Sequence, residues 1–218
     1  MCSRLMISGD GHSSWFHSVV VALLHSRLET LERCWTVTGE PGDKVSEAEF
    51  HLYTTEGEKT DFTMKFKDVF DGKGKADVYD IKKAWWIAGL QLAALQLEGY
   101  TGLRKDGFTW SEPDKAFKIL TNEDTEIYNP RGANKEKELW ALMTQSGNTP
   151  IVFSIKFEDG SFYWYAALSA TVNEKREGEE DWEKGELEIY AGNRRQTEVH
   201  PFAKWADEIE SVVHWKLD

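Results

Sequence analysis

The apolar positions of this chain change their period several times, and each change marks an element. Apolar residues recur at 16, 19, 20, 23, 24, 28 and 31, the spacing that gives a helix one buried stripe; a helix of about 18 residues is expected from Ser14 onward. Serines just ahead of the stripe can cap its start. Phe50 and Leu52 then alternate with polar neighbours, Glu56-Gly57-Glu58-Lys59 reads as a turn, and Phe62, Met64 and Phe66 alternate again. A hairpin is expected there. Asp71-Gly72-Lys73-Gly74-Lys75 reads as a further turn, since its lysines spoil a calcium loop and its spacing does not fit a phosphate loop. Ala84 to Gly99 is apolar nearly all round, which predicts a buried helix stopped by Gly99. Shorter helices are expected around Pro113 to Leu120 and from Asn134 to Thr144.

From Pro150 the period becomes two. Ile151, Phe153, Ile155 and Phe157 alternate, Glu158-Asp159-Gly160-Ser161 turns, Phe162 to Val172 returns, and Leu187 to Ala191 makes a third strand. Phe202, Trp205, Ile209, Val212 and Val213 trace one face of an expected last helix. The fold class is therefore α+β: a mainly helical first part with a small β insertion, residues 1–148, then a β-rich part, residues 149–218. No linker or internal repeat divides them.

Composition narrows the function classes. Forty percent apolar and 29% charged residues are ordinary for a globular protein. A net charge of −12 argues against nucleic acid or an anionic membrane surface as partner. Part of the acidic excess, Glu174 to Glu188, reads as a solvated loop. The two cysteines, Cys2 and Cys34, fit a reducing compartment rather than a disulfide framework. No stretch approaches the roughly 18 apolar residues of a membrane span, and the N-terminus lacks a signal-peptide layout. A cytoplasmic location is the expectation. The ten tryptophans are read as packing anchors before ligand platforms.

The segment Ser8-Gly9-Asp10-Gly11-His12-Ser13-Ser14-Trp15-Phe16-His17, leading into an apolar helix, resembles the start of a calpain-type (papain-like) cysteine protease domain. Further pieces are similar to that family in order along almost the whole chain: Trp85-Trp86-Ile87-Ala88-Gly89-Leu90-Gln91-Leu92-Ala93 to its buried helix, Gly99-Tyr100 and Lys105-Asp106-Gly107 to the glycine-punctuated segment after it, and Glu138 to Met143 to the helix before the histidine strand. Leu187 to Asn193 resembles the strand that delivers the active-site asparagine, and Phe202 to Leu217 the closing helix and strand. The resemblance implies a two-lobe fold with the nucleophile on a helix of the first lobe and the histidine and asparagine on the sheet of the second.

Carried over position by position, the same resemblance puts Ser14 where the cysteine belongs, Ser8 at the oxyanion glutamine, Trp164 or Tyr165 at the histidine, Asn193 at the asparagine, and Arg195 at the tryptophan that shields it. A thiolate at a helix start gains from the dipole and from an imidazolium partner; a serine hydroxyl does not match that pairing. Neither Trp164 nor Tyr165 is a general base near neutral pH. Cysteine to serine is the usual isosteric knockout, but losing the histidine, glutamine and tryptophan as well is not explained that way. The chain begins only 13 residues before Ser14, which suggests a trimmed fragment or an early start.

Three function classes follow. The first is a catalytically inactive, calpain-like domain that binds a protein or peptide partner in a cleft lined by Trp15, Trp164 and Tyr165, the blander outcome being a cleft filled by those same rings. The second is an endopeptidase or other hydrolase using Ser14 or another non-standard nucleophile. The third is an unrelated α+β binding domain. No cofactor or metal is expected. Of the family's core calcium sites, the first places Gln91 and Leu5 where acidic residues belong, and neutral or apolar groups are poor ligands for a hard cation. His12 and His17 flank Ser14 and are read as structural; His25 and His51 are read as surface or boundary residues, and His200-Pro201 as the flank of the last helix. Asn129-Pro130-Arg131-Gly132 reads as a turn.

Overall fold

The first apolar stripe folds as a helix but is cut short. In the computed structural model, which describes residues 12–37, 46–71, 81–157, 160–172, 177–191 and 196–216, helix α1 spans Ser14–Ser26 and a separate helix α2 spans Leu28–Glu32. Arg27 leaves helical geometry between them, with φ −144° and ψ 50°. The stripe at residues 28 and 31 therefore belongs to a second helix. Ser13 occupies the N-cap position but makes no side-chain cap hydrogen bond; its carbonyl accepts from the backbone N–H groups of Phe16 and His17.

A three-stranded antiparallel sheet follows, β1 (Trp35–Val37), β2 (Glu47–Tyr53) and β3 (Lys59–Lys65), in that spatial order. The expected hairpin is β2–β3, and Gly57 supplies the turn's left-handed φ of +82°. Phe66 does not continue the strand; it opens helix α3 (Phe66–Asp71). The Gly72 to Lys75 turn lies outside the described residues. Ala48, Phe50, Leu52 and Met64 face the core. Against them packs α4 (Ile81–Ala94), which ends five residues before Gly99, so that glycine is not the helix stop. Gly99, with φ +87°, instead turns the chain toward a short hairpin of β4 (Leu103–Arg104) and β5 (Gly107–Phe108). Helix α5 (Pro113–Thr121) has proline in its first turn and a left-handed Asn122, φ 58°, at its C-cap.

The second half forms a six-stranded sheet from β6 (Thr125–Tyr128), β7 (Ile151–Lys156), β8 (Phe162–Val172), β9 (Gly185–Ala191), β10 (Gln196–Pro201) and β11 (Ile209–Trp215), in the order β10-β9-β8-β7-β11-β6. Helix α6 (Lys135–Met143) precedes β7, and the four-residue helix α7 (Phe202–Trp205) precedes β11. The chain is α+β, as expected. The expected last helix is corrected: only its first turn is helical, and Ile209, Val212 and Val213 lie on a strand inserted between β7 and β6. Their three-and-four spacing suits a helix, yet β-branched side chains also suit a strand with two buried faces. The acidic stretch is likewise only partly a loop. A 3-10 turn covers Asp181–Glu183, and Gly185 to Glu188 belong to β9, with Leu187 fully buried.

The sheet has a core on each face. Val152, Trp164, Ala166, Leu168, Tyr190 and Val213 join the core built around α1, α4, α5 and the small sheet. Ile151, Phe153, Ile155, Tyr163, Tyr165, Ala167 and Ile189 join a second core under α6 and α7. Successive residues of one strand thus serve different cores, the pattern of a strand buried on both faces.

Gly89 marks the closest approach of α4 to β2: a Cβ there would lie 2.5 Å from Cζ of the fully buried Phe50. Gly89→Ala is expected to lower stability by about 1–3 kcal/mol through overpacking. A urea titration checks this; an unchanged midpoint would show that the helix and strand can separate at no cost.

Candidate functional site

Ser14 is the first residue of α1, and α1 packs directly on β8. The contact is specific: the backbone N–H of Trp164 donates to Ser14 Oγ at 3.4 Å, joining residues 150 apart in sequence. That N–H lies beyond the point where β9 pairing with β8 begins, at Ala166 opposite Tyr190, so the serine hydroxyl takes a strand donor as a partner. Ser14 is buried, only 2% exposed. A side chain so placed is poorly accessible to the carbonyl carbon of a substrate.

Of the two residues named for the histidine position, Trp164 is the one on the face toward α1. Tyr165 points into the second core, stacked on Phe153 at 5.7 Å between ring centroids. The expectation that both line one cleft is corrected, because adjacent strand residues face opposite ways. Trp15 is fully buried. Its indole N–H donates to Thr109 O at 2.9 Å, and its ring meets Phe108 edge-on at 6.0 Å. Trp15 is therefore clamped by the β4–β5 hairpin rather than presented to a ligand. Ser8, Asn193 and Arg195 lie outside the described residues.

One turn along α1, His17 is buried together with the fully buried Gln91 of α4. The Gln91 side-chain amide nitrogen pairs with His17 Nε2, while His17 Nδ1 and Gln91 Oε1 have no hydrogen-bond partner. Neither imidazole nitrogen bonds the Ser14 hydroxyl. Desolvation pushes the His17 pKa down to about 3, only partly opposed by the hydrogen bond with Gln91. His17 stays neutral and structural. Gln91, read from the sequence as a lost calcium ligand, is a core partner of this histidine. Neither role is visible from residue types alone; the signal was that both sit within helices apolar on nearly every side.

Among the other candidates, burial raises the Cys34 thiol to about 12, and its Sγ lies 3.1 Å from Leu120 O. It is not a reactive thiol. His51 is buried rather than superficial, 8% exposed, and His214 is buried on β11, between β7 and the edge strand β6. His200 is on the edge strand β10, stacked on Trp205 at 4.2 Å. His25 is exposed near the end of α1, as expected.

Beside Trp164 runs a groove of about 510 Å³. The loop residues Trp110 and Glu112 border it on one side, and the sheet residues Ile127, Phe162, Trp164 and Glu210 on the other. Trp110, Ile127 and Phe162 are 47%, 48% and 39% exposed. These residues were not singled out in the sequence, although Trp110 stands just ahead of a proline-opened helix. Among the described residues, no helix is long and apolar enough to cross a membrane. Comparison with known proteins gives no matching family model and no matching curated protein.

The His17 shift has a definite sign. Its folded pKa lies below the unfolded value of 6.5, so between pH 6.5 and 3 the unfolded chain binds more protons. The stability due to a neutral His17 is complete above pH 6.5 and is lost as pH falls, by up to about 1.4 kcal/mol per pH unit. Urea unfolding between pH 7 and 4 should show a shallower acid dependence in His17→Leu than in the parent. Equal slopes would mean that His17 is not held neutral.

Proposed function

We propose that this chain is a calpain-type, papain-like two-lobed scaffold that does not cleave peptides and acts by holding an extended segment of a partner protein. The observation that carries the reading is the meeting of Ser14 with the Trp164 backbone. The resemblance expects the nucleophile and the base to meet at these two positions, and neither side chain can perform a proton transfer. Hydrolysis through Ser14 is disfavoured because its hydroxyl accepts a backbone N–H and its nearest histidine in sequence on α1 is engaged elsewhere.

Binding is supported by the groove beside Trp164. Three half-exposed apolar side chains line it, and such clusters mark places where a partner is seated. Glu112 and Glu210 also line it, while Lys156 Nζ lies 5.7 Å from the centre of the Phe162 ring and the His12 ring lies 5.3 Å from that of Trp110. The two carboxylates favour a peptide with a basic group beside its apolar anchor.

Casein and fluorogenic peptides, with and without calcium, should not be turned over. Ser14→Cys should remain inactive, because Trp164 at the base position cannot deprotonate the thiol. Turnover abolished by Ser14→Ala would overturn the reading. Binding is checked separately by fluorescence anisotropy with a library of labelled apolar and basic peptides. Trp110→Ala should weaken the best binder by about tenfold, the loss of one aromatic anchor. A library without binders, or an unaffected variant, would remove the groove from the proposal.

A further inference from the structure

The small sheet carries a polar cluster that the groove does not use. Thr36 lies opposite Glu49 in the β1–β2 register, and His51 lies opposite Asp61 in the β2–β3 register. Glu49 and His51, two residues apart, share the face directed away from Ala48, Phe50 and Leu52. One ligand atom from each of Glu49, His51 and Asp61 lies within 4.8 Å of the others. The imidazole is held at both ends: Nδ1 is 2.7 Å from Asp61 Oδ1, and Nε2 is 2.8 Å from Thr36 Oγ1.

We propose that Glu49, His51 and Asp61 form a binding site for a divalent transition ion of the zinc class. An imidazole with two carboxylates suits zinc and its neighbours, whereas calcium and magnesium take oxygen ligands throughout. Bonds of 2.0–2.2 Å in a tetrahedral site put ligand atoms about 3.4 Å apart. Asp61 must therefore draw back slightly from Nδ1, and Glu49 must move inward. Both carboxylates are exposed and free to do so, while His51 is buried and fixed. With Nδ1 on the ion, the ring proton sits on Nε2 and donates to Thr36 Oγ1, the outer hydrogen bond that holds a metal-bound imidazole in place.

Charge points the same way. Two exposed carboxylates flank the imidazole, and Glu49 makes no ion pair among the described residues. Lys59, two residues before Asp61 on the same strand, makes none with either carboxylate among those residues. The Thr36–His51–Asp61 chain also has the spacing of a nucleophile, a base and its orienter. Glu49, however, stands opposite Thr36, where a hydrolytic intermediate would build negative charge. That placement favours a cation over an oxyanion.

The test is calorimetric titration of the full chain with zinc chloride, paired with cobalt(II) absorption as a ligand readout. One equivalent should bind and raise Tm. Glu49→Gln and Asp61→Asn, both exposed positions, should each weaken binding by at least about tenfold with an unchanged circular dichroism spectrum. Absence of stoichiometric binding would overturn the proposal. So would binding that survives both substitutions, or a thiolate-to-cobalt charge-transfer band, which would assign the ion to Cys2 or Cys34.

Discussion

The burial of the six-stranded sheet on both faces is the constraint on which the rest of the structure depends. It leaves residues 163–168 of β8 no solvent side, and each answers to one core or the other. Position 164 answers to the core that holds α1. A tryptophan there removes roughly 150–250 Å² from water, on the order of 4–6 kcal/mol at 25 cal/mol per Å². An imidazole at the same point offers less apolar area and requires hydrogen bonds of its own. Packing and proton transfer make opposing demands on this position, and the residue present serves packing.

The start of α1 follows the same logic. A helix N-terminus favours an anion, yet the hydroxyl of Ser14 is neutral at ordinary pH and accepts a strand N–H. Trp15 and Phe16, the next two residues of α1, pack against Phe108 of the β4–β5 hairpin. Gly102 lets this happen: a Cβ at that position would come within 2.8 Å of the Trp15 ring. The start of α1 therefore acts as a joint between α1, the hairpin and the large sheet.

Much of this could be read from periodicity. Strands β7 and β8, the β2–β3 hairpin and helices α5 and α6 lie within a residue or two of expectation, because each has a clean period and a turn signal at its ends. The failures have physical causes. Val212 and Val213 satisfy helical spacing and strand propensity alike, and only the gap between β7 and β6 decides between them. Edge strands β6 and β10 are short and polar, so they carry little period-two signal. At the site, Ser14 and the Trp164 strand could be paired from chain order and resemblance. Which of Trp164 and Tyr165 faces the helix depends on a one-residue register that no local pattern encodes. Trp110, Ile127 and Phe162 gather from three separate segments, so their groove is a product of topology alone.

The places where local rules are broken carry further information. Most buried polar groups in a folded chain are satisfied, and an unpartnered one costs about 1–3 kcal/mol. Two such atoms, His17 Nδ1 and Gln91 Oε1, belong to one buried pair a single helical turn from Ser14. Apolar residues of similar size would relieve that cost, and nothing in the packing of Val20, Leu23 or Leu90 requires a polar neighbour. On the proposed reading, the pair is what a scaffold keeps when its chemistry has been replaced by packing at positions 14 and 164 but the polar surroundings of the old site have not been rebuilt. Unpartnered buried atoms also occur singly at Asp114, Asn122, Ser146 and Trp215; what sets the His17–Gln91 pair apart is that both partners of one hydrogen bond each keep an orphaned atom, one helical turn from Ser14.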